Sequence, residues 1–246
     1  MKMYTQVLAT DLDGTLVGDK KGLEDLLEYY KKLPYKVTLI YVTGRHRDSA
    51  LELIKEQSLP IPTFLITDVG TRIFKGPDME EDIEWKRKMN TNWEPDVINE
   101  IVLKYPSISP QTLPTNCRVS FYISNEDHSI PSIEKQLKKQ GLSYKMVYSS
   151  GKDLDILPKE SGKGSALQYI IDTYVCEEAS ILVAGDSGND EEMLTLGYPS
   201  VIVANAQPEL RKIPKSNMIF RANKDCAGGI LEAWLHFHAE KSSNLL

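Results

Sequence analysis

Asp11 and Asp13 stand one leucine apart in "VLATDLDGTLVG", directly after an apolar run. Residues two apart on an extended chain point the same way, so this spacing brings two carboxylates together at the end of a buried strand. Two more carboxylates, Asp186 and Asp190, lie in "GDSGND" after the apolar "SILVA". Clustered carboxylates repel, and either one takes up a proton or a cation joins them. Oxygen donors with no His or Cys nearby favour a hard divalent ion. Mg²⁺ suits best, because it takes a couple of carboxylates, keeps waters and leaves room for a phosphate oxygen.

Thr43 and Gly44, in "TGR", follow a third apolar run, and Lys163 in "SGKGS" sits at a helix start. A hydroxyl, a lysine and a helix N-terminus all favour an anion. Together with a divalent ion they are the parts that hold a phosphoryl group while it is attacked. Within Asp11-Leu12-Asp13, one carboxylate is expected to form an aspartyl phosphate. The other is expected to protonate the leaving oxygen and later deprotonate water.

Competing readings of these motifs are weaker. A calcium loop starting at Asp11 needs Gly at its sixth position and Glu at its twelfth, where this chain has Leu16 and Gly22. "GDSG" also occurs around the serine of trypsin-like proteases, but that chemistry needs an all-β fold and a paired His and Asp. Asp190 has an alternative role as a helix cap. His236 and His238 are expected to be an exposed pair on different helix faces. Trp85 and Trp93 are expected to be packing residues, and "DMEED" a solvated helix start.

The elements that must position these residues are legible as alternating apolar strands and amphipathic helices. "QVLATD", "KVTLIYVTG" and "TFLITDVG" read as strands, separated by the helical "KGLEDLLEYYKKL" and "RDSALELIKEQSL". This βαβαβ order predicts an α/β fold, a parallel sheet with helices on both faces. The rhythm returns with helix "GKGSALQYIIDTY", strand "SILVAGD", helix "NDEEMLTLG", strand "SVIVAN", helix "QPELRKI" and helix "AGGILEAWLHFHAEK". Between them, "CRVSFYIS" reads as a half-exposed strand, "SIPSIEKQLKKQG" as a helix, and "YKMVYSS" and "LDILP" as strands. This predicts a core over residues 1–77 and 159–246, with an α/β insert over 78–158. The three chemical motifs then meet at the carboxyl ends of the core strands, where open α/β sheets bind ligands.

The chain has 246 residues, 41% hydrophobic and 26% charged, with a net charge of −6. That balance offers no basic field for nucleic acid or an anionic membrane. Three scattered cysteines outside any CxxC pattern predict reduced thiols. No stretch approaches the ~20 apolar residues of a membrane span. The expectation is a cytoplasmic monomer.

"DLDGT", Thr43, Lys163 and "GDSGND" resemble, in order, the four motifs of the haloacid dehalogenase (HAD) phosphatase superfamily. "SSGKDLDILP", "SGKGSA", "VAGDSGNDEEM", "VIVANAQPEL" and "AGGILEA" further resemble its sucrose-phosphate phosphatase branch. The resemblance implies a Rossmann-like core and an α/β cap inserted between the second and third motifs. It implies Asp11 as nucleophile and Asp13 as acid/base. Thr43, Gly44, Lys163 and Asn189 are implied to hold the phosphoryl group. Asp11, the Asp13 carbonyl, Asp186 and Asp190 are implied to bind or support Mg²⁺. Lys152 and Asp155 of the cap are implied to meet sugar hydroxyls, and Arg45 and Arg47 either reach the substrate or form surface salt bridges. Sucrose 6-phosphate is the first expected substrate. Trehalose 6-phosphate, mannosyl- or glucosyl-3-phosphoglycerate, a phosphomannomutase-like transfer and a non-catalytic sugar-phosphate-binding module are the alternatives. A sugar-phosphate synthase is a candidate partner.

Overall fold

The computed structural model describes residues 2–124 and 128–242. Its larger sheet is built on β1 (Tyr4–Thr10), β2 (Thr38–Val42), β3 (Phe64–Thr67), β4 (Arg72–Lys75) and β5 (Glu80–Glu81). A second sheet holds β6 (Ser109–Pro110), β7 (Val119–Tyr122), β8 (Tyr144–Ser149) and β9 (Asp153–Pro158). The chain then returns to the larger sheet with β10 (Val175–Gly185), β11 (Ser200–Ile202) and β12 (Ile219–Arg221). Strand order in the larger sheet is β12-β11-β10-β1-β2-β3-β4-β5. All its pairs are parallel except β3–β4 and β4–β5. The fold is the expected α/β type with helices on both faces.

Those faces follow from the strand pleat. Val7 and Ala9 point to one side, and Leu8 between them points to the other. Ile40/Val42, Phe64/Ile66 and Ile181/Val183 share the first side, where α6 (Lys163–Tyr174) contributes Ala166, Leu167 and Ile170. Tyr41, Leu65 and Leu182 share the second, covered by α1 (Lys20–Lys32), α2 (Arg47–Glu56) and α8 (Cys226–Ser242). Strands buried on both faces need uniformly apolar sequences, which is what these runs are.

The segment after β4 joins this core. β5 pairs with β4, and α3 (Ile83–Met89) places Trp85 and Met89 in the core cluster. "DMEED" is therefore not a solvated helix start as a whole. Glu81 is half-buried between Arg72 and Lys86, and only Asp82 caps the helix, accepting from the Trp85 amide at 2.8 Å. Trp85 packs as expected, its indole N–H donating to the Gly70 carbonyl.

The smaller sheet is antiparallel, in order β6-β7-β9-β8. With α4 (Pro95–Val102) and α5 (Ile130–Lys139) it has its own apolar cluster, including Ile98, Val119, Phe121, Ile133 and Leu154. Trp93 packs against that cluster. We propose that the insert comprises residues 90–158, with 78–89 counted in the core. β7 is more buried than expected: Val119, Ser120 and Phe121 are covered and only Tyr122 is open. Val119 and Phe121 join the insert's apolar cluster, and Ser120 on the other face bonds Asp155.

Three further differences have local causes. "NDEEMLTLG" forms a 3₁₀ turn, Gly188–Asp190, and the single turn α7 (Glu191–Leu194). "QPELRKI" is a five-residue 3₁₀ turn begun by Pro208, and the edge strand β12 follows it. His238 is not exposed; it stacks on Trp234, one helical turn earlier, at 4.5 Å. No helix among the described residues is long and apolar enough to cross a membrane.

Candidate active site

β1 is the switch point of the sheet, with β10 on one side and β2 on the other. Their ends are level, since Thr10 pairs with Ala184 and with Tyr41. Asp11, Thr43 and Asp186 leave these three strand ends into one crevice. The Asp11 amide still donates to the Ala184 carbonyl at 3.0 Å, so the first carboxylate is fixed by the last ladder bond.

Lys163, 1% exposed, opens α6 and reaches under the crevice. Its Nζ donates to Asp11 Oδ1 and to Asp190 Oδ1, both at 2.7 Å. The other oxygen of Asp190 accepts from the Asp186 and Ser187 amides, each at 3.0 Å. Asp190 is thus both a cap of its own turn and the anchor of Lys163. Asp186 Oδ1 accepts from the Thr15 hydroxyl at 2.9 Å. Gly14 has φ +80°, and a Cβ there would come within 2.8 Å of Asp186 Oδ2. The glycine of "DLDGT" is therefore required twice, by its backbone and by the carboxylate beside it.

Carboxylate oxygens of Asp11, Asp186 and Asp190 lie within 4.8 Å of one another, all buried. Burial pushes the Asp11 carboxyl well above the usual carboxylate range; Lys163 opposes this, and Asp190 and Asp186 add to it. Burial, then Asp190, pushes Asp186 up to about 6. Burial opposes the charge on Lys163, but Asp11 and Asp190 outweigh it and keep the amine protonated. One lysine faces three carboxylates, so the donor set fits a divalent cation.

Asp13 stands apart from this cluster. Its carboxylate is half-exposed and gripped by Arg45, Nε to Oδ2 at 2.7 Å and Nη2 to Oδ1 at 2.8 Å. Arg47 instead pairs with its neighbour Asp48 on the surface. Thr43 is buried, and its Oγ1 accepts from the Arg45 amide. Asn189 lines the opening from the β10 side.

A cavity of about 300 Å³ lies between these residues and the smaller sheet. Its far wall is polar: Gln111, Arg118, Ser149, Ser150, Asp153 and Asp155. Asp155 is buried and bonded by the Arg118 guanidinium and the Ser120 hydroxyl. Arg118 Nη2 also donates to the Gly44 carbonyl at 2.9 Å, joining the insert to the Thr43–Gly44 loop. Lys152 is exposed and does not line the cavity. Arg118, Gln111 and Asp153 were not among the sequence candidates. The signal for Arg118 was present: in "RVSFY", polar Arg118 and Ser120 alternate with apolar Val119 and Phe121, which puts both polar groups on one face.

A profile of the sucrose-6F-phosphate phosphohydrolase family matches residues 4–238. The chain belongs to that family. A sucrose-phosphatase of Nicotiana tabacum is 36% identical over 251 residues, which cover 94% of this chain and 59% of that relative. The chain therefore spans about three fifths of the length of the tobacco protein. A mannosylfructose-phosphate phosphatase of Agrobacterium fabrum is 30% identical, with coverage of 94% of this chain and 96% of that one. The structure of the sucrose-phosphatase of Synechocystis sp. PCC6803, in complex with sucrose and phosphate, is 35% identical. It superposes with a TM-score of 0.88, covering 96% of this chain and 98% of that one. Membership of the sucrose-6F-phosphate phosphohydrolase family thus spans the core and the insert alike.

Proposed function

We propose that the chain hydrolyses the phosphomonoester of a disaccharide, sucrose 6-phosphate first, through an aspartyl phosphate on Asp11. The observation that carries this reading is the buried Asp11–Lys163–Asp190–Asp186 cluster, which opens onto a cavity with a polar far wall. A phosphoryl group needs the first and sugar hydroxyls need the second. Family membership, and the sucrose and phosphate held by the Synechocystis relative, support the same assignment.

In this reading the phosphoryl group enters against Thr43, Gly44, Lys163 and Asn189. Asp11 attacks phosphorus and the sugar oxygen leaves. Lys163 holds one Asp11 oxygen and so orients the other toward the substrate. Asp13, freed from Arg45 and carrying a proton as the step begins, gives it to the departing oxygen, then regains one from the water that opens the acyl phosphate. Arg45 orients Asp13 and must loosen its grip for either transfer. Mg²⁺ would be held by Asp11, the Asp13 carbonyl and Asp186, with Asp190 behind them, and supplies positive charge that lowers the repulsion between carboxylates and phosphate. Arg118, Asp155, Gln111 and Asp153 meet sugar hydroxyls directly or hold the groups that do.

The Agrobacterium relative favours one second reading, a phosphorylated fructoside other than sucrose. A phosphate-release panel with Mg²⁺ separates the two: sucrose 6-phosphate, mannosylfructose phosphate, trehalose 6-phosphate, mannosyl- and glucosyl-3-phosphoglycerate, glucose 6-phosphate. The first should have the highest kcat/KM. Equal rates on glucose 6-phosphate would refute the disaccharide assignment. A sugar phosphate isomer without free phosphate would indicate a mutase.

A further inference from the structure

Glu209 stands in the Pro208–Lys212 turn, outside the cavity, and bonds to none of the clustered carboxylates. Its Oε1 accepts two backbone N–H groups from opposite sides of the cavity. One is Ser150, at 2.9 Å, in the turn between β8 and β9 of the insert. The other is Gly188, at 3.0 Å, in the loop between Asp186 and Asp190. The turn that carries Glu209 is itself tied to that loop, since the Gln207 amide donates to the Asp186 carbonyl at 2.7 Å. Leu210, fully buried, pins the turn to the core.

Gly188 gives independent support. A Cβ there would come within 3.0 Å of both Glu209 Oε1 and the Tyr148 carbonyl of β8. Its φ is not in the left-handed region, so the glycine serves close approach rather than an unusual backbone. The end of β8 and Glu209 both press on the motif loop at this point, and a side chain there would make them give by a few tenths of an ångström.

We infer that Glu209 is a positioning residue that couples the insert's sugar wall to the Asp186–Asp190 loop, and thereby favours substrates that fill the cavity. The inference rests on the phosphatase reading above. Ser149, Ser150 and Asp153 are placed by the clasped turn, so a sugar phosphate gains from the clasp. A small aryl phosphate reaches Asp11 without touching that wall and gains nothing.

The test compares the full chain with Glu209→Ala and Glu209→Gln, with Mg²⁺, on sucrose 6-phosphate and p-nitrophenyl phosphate. Amide hydrogen exchange at Ser150 and Gly188 is followed in parallel on all three proteins. A hydrogen bond to a charged acceptor is strong enough that its loss should speed exchange at both amides about tenfold or more. Glu209→Ala should lower kcat/KM for sucrose 6-phosphate by about tenfold, mainly through KM, and leave p-nitrophenyl phosphate within about twofold. Glu209→Gln keeps an uncharged acceptor and should fall between wild type and Glu209→Ala in both readouts. Equal losses on the two substrates, or unchanged exchange at both amides, would overturn the inference. If wild type releases phosphate from neither substrate, the phosphatase reading fails, and the exchange result alone decides whether the clasp exists.

Discussion

Arg45 and Asp13 form a two-pronged ion pair, with both carboxylate oxygens engaged at 2.7 and 2.8 Å. The carboxylate two residues from Asp11 is thus held away from the Asp11–Asp186–Asp190 cluster. The two halves of "DLD" therefore have different partners, Lys163 for Asp11 and Arg45 for Asp13, which suits the two roles proposed for them.

Asp13→Asn should cut turnover of a sugar phosphate by about 10²–10⁴-fold, because a sugar alkoxide needs a proton to leave. p-Nitrophenolate leaves without one. The same variant should therefore give a burst of nitrophenolate with p-nitrophenyl phosphate, then stall as phospho-enzyme. Stopped-flow absorbance reads the burst, and its absence would remove Asp13 from the deacylation-like second step.

Lys163 is the buried cation shared by Asp11 and Asp190. Removing one partner of a buried pair leaves an uncompensated charge and costs about 3–5 kcal/mol. Lys163→Met should lose stability of that order in urea unfolding without Mg²⁺. Asp190→Asn in the same background should recover part of the loss. Additive effects of the two changes would mean that the lysine and the carboxylate act independently.

Asp186, pushed up to about 6 by burial and then by Asp190, makes the metal-free protein sensitive to pH. Its folded carboxyl binds a proton more tightly than the unfolded one, so the folded state holds more protons between about pH 4 and 6. Stability should fall as pH rises through that window and stay lower above it. Mg²⁺ competes with that proton, so its stabilising effect should be small at pH 5 and larger at pH 7.5. Thermal unfolding with and without Mg²⁺ at both pH values checks this; a larger Mg²⁺ shift at pH 5 would contradict it.

Asp155 and Lys152 should now separate. Asp155 is buried and paired with Arg118, whereas Lys152 is exposed. Asp155→Ala should raise KM for the sugar phosphate by about tenfold or more, since it strands a buried guanidinium beside the cavity. Lys152→Ala should stay within about twofold, as usual for an exposed charge. Steady-state kinetics on both variants decides; the reverse order would put Lys152 at the sugar.

The core was legible because its signals are local. Strands buried on both faces read as unbroken apolar runs, and the motifs of Asp11, Thr43 and Asp186 each directly follow one of them. Asp11 and Asp186 meet because β1 and β10 end side by side, and Asp190, in the turn after β10, and Lys163, at the start of α6, join them there. The boundary of the insert was less legible. β4 and β5 are short antiparallel additions to a parallel sheet, and α3 is short and more than half charged, with Glu84, Lys86, Arg87 and Lys88 among its seven residues. Only Trp85 and Met89 betray that its inner face belongs to the core. Glu209, and the bond by which Arg118 reaches the core, were hidden for another reason. Their partners are a carbonyl at Gly44 and amides at Ser150 and Gly188, and backbone groups leave no mark in a sequence. The distinct roles of Lys152 and Asp155 were likewise hidden, because the turn between β8 and β9 decides which side chain faces inward.

The covalent step at Asp11 is the centre of this account. Wild-type and Asp11→Asn protein are mixed with sucrose 6-phosphate and Mg²⁺, quenched in acid within milliseconds, and the peptide containing residue 11 is weighed by mass spectrometry. Wild type should carry one phosphoryl group on that peptide during turnover and release free phosphate; the variant should show neither. Steady phosphate release from wild type without any phosphorylated peptide, or substantial release by Asp11→Asn, would contradict it.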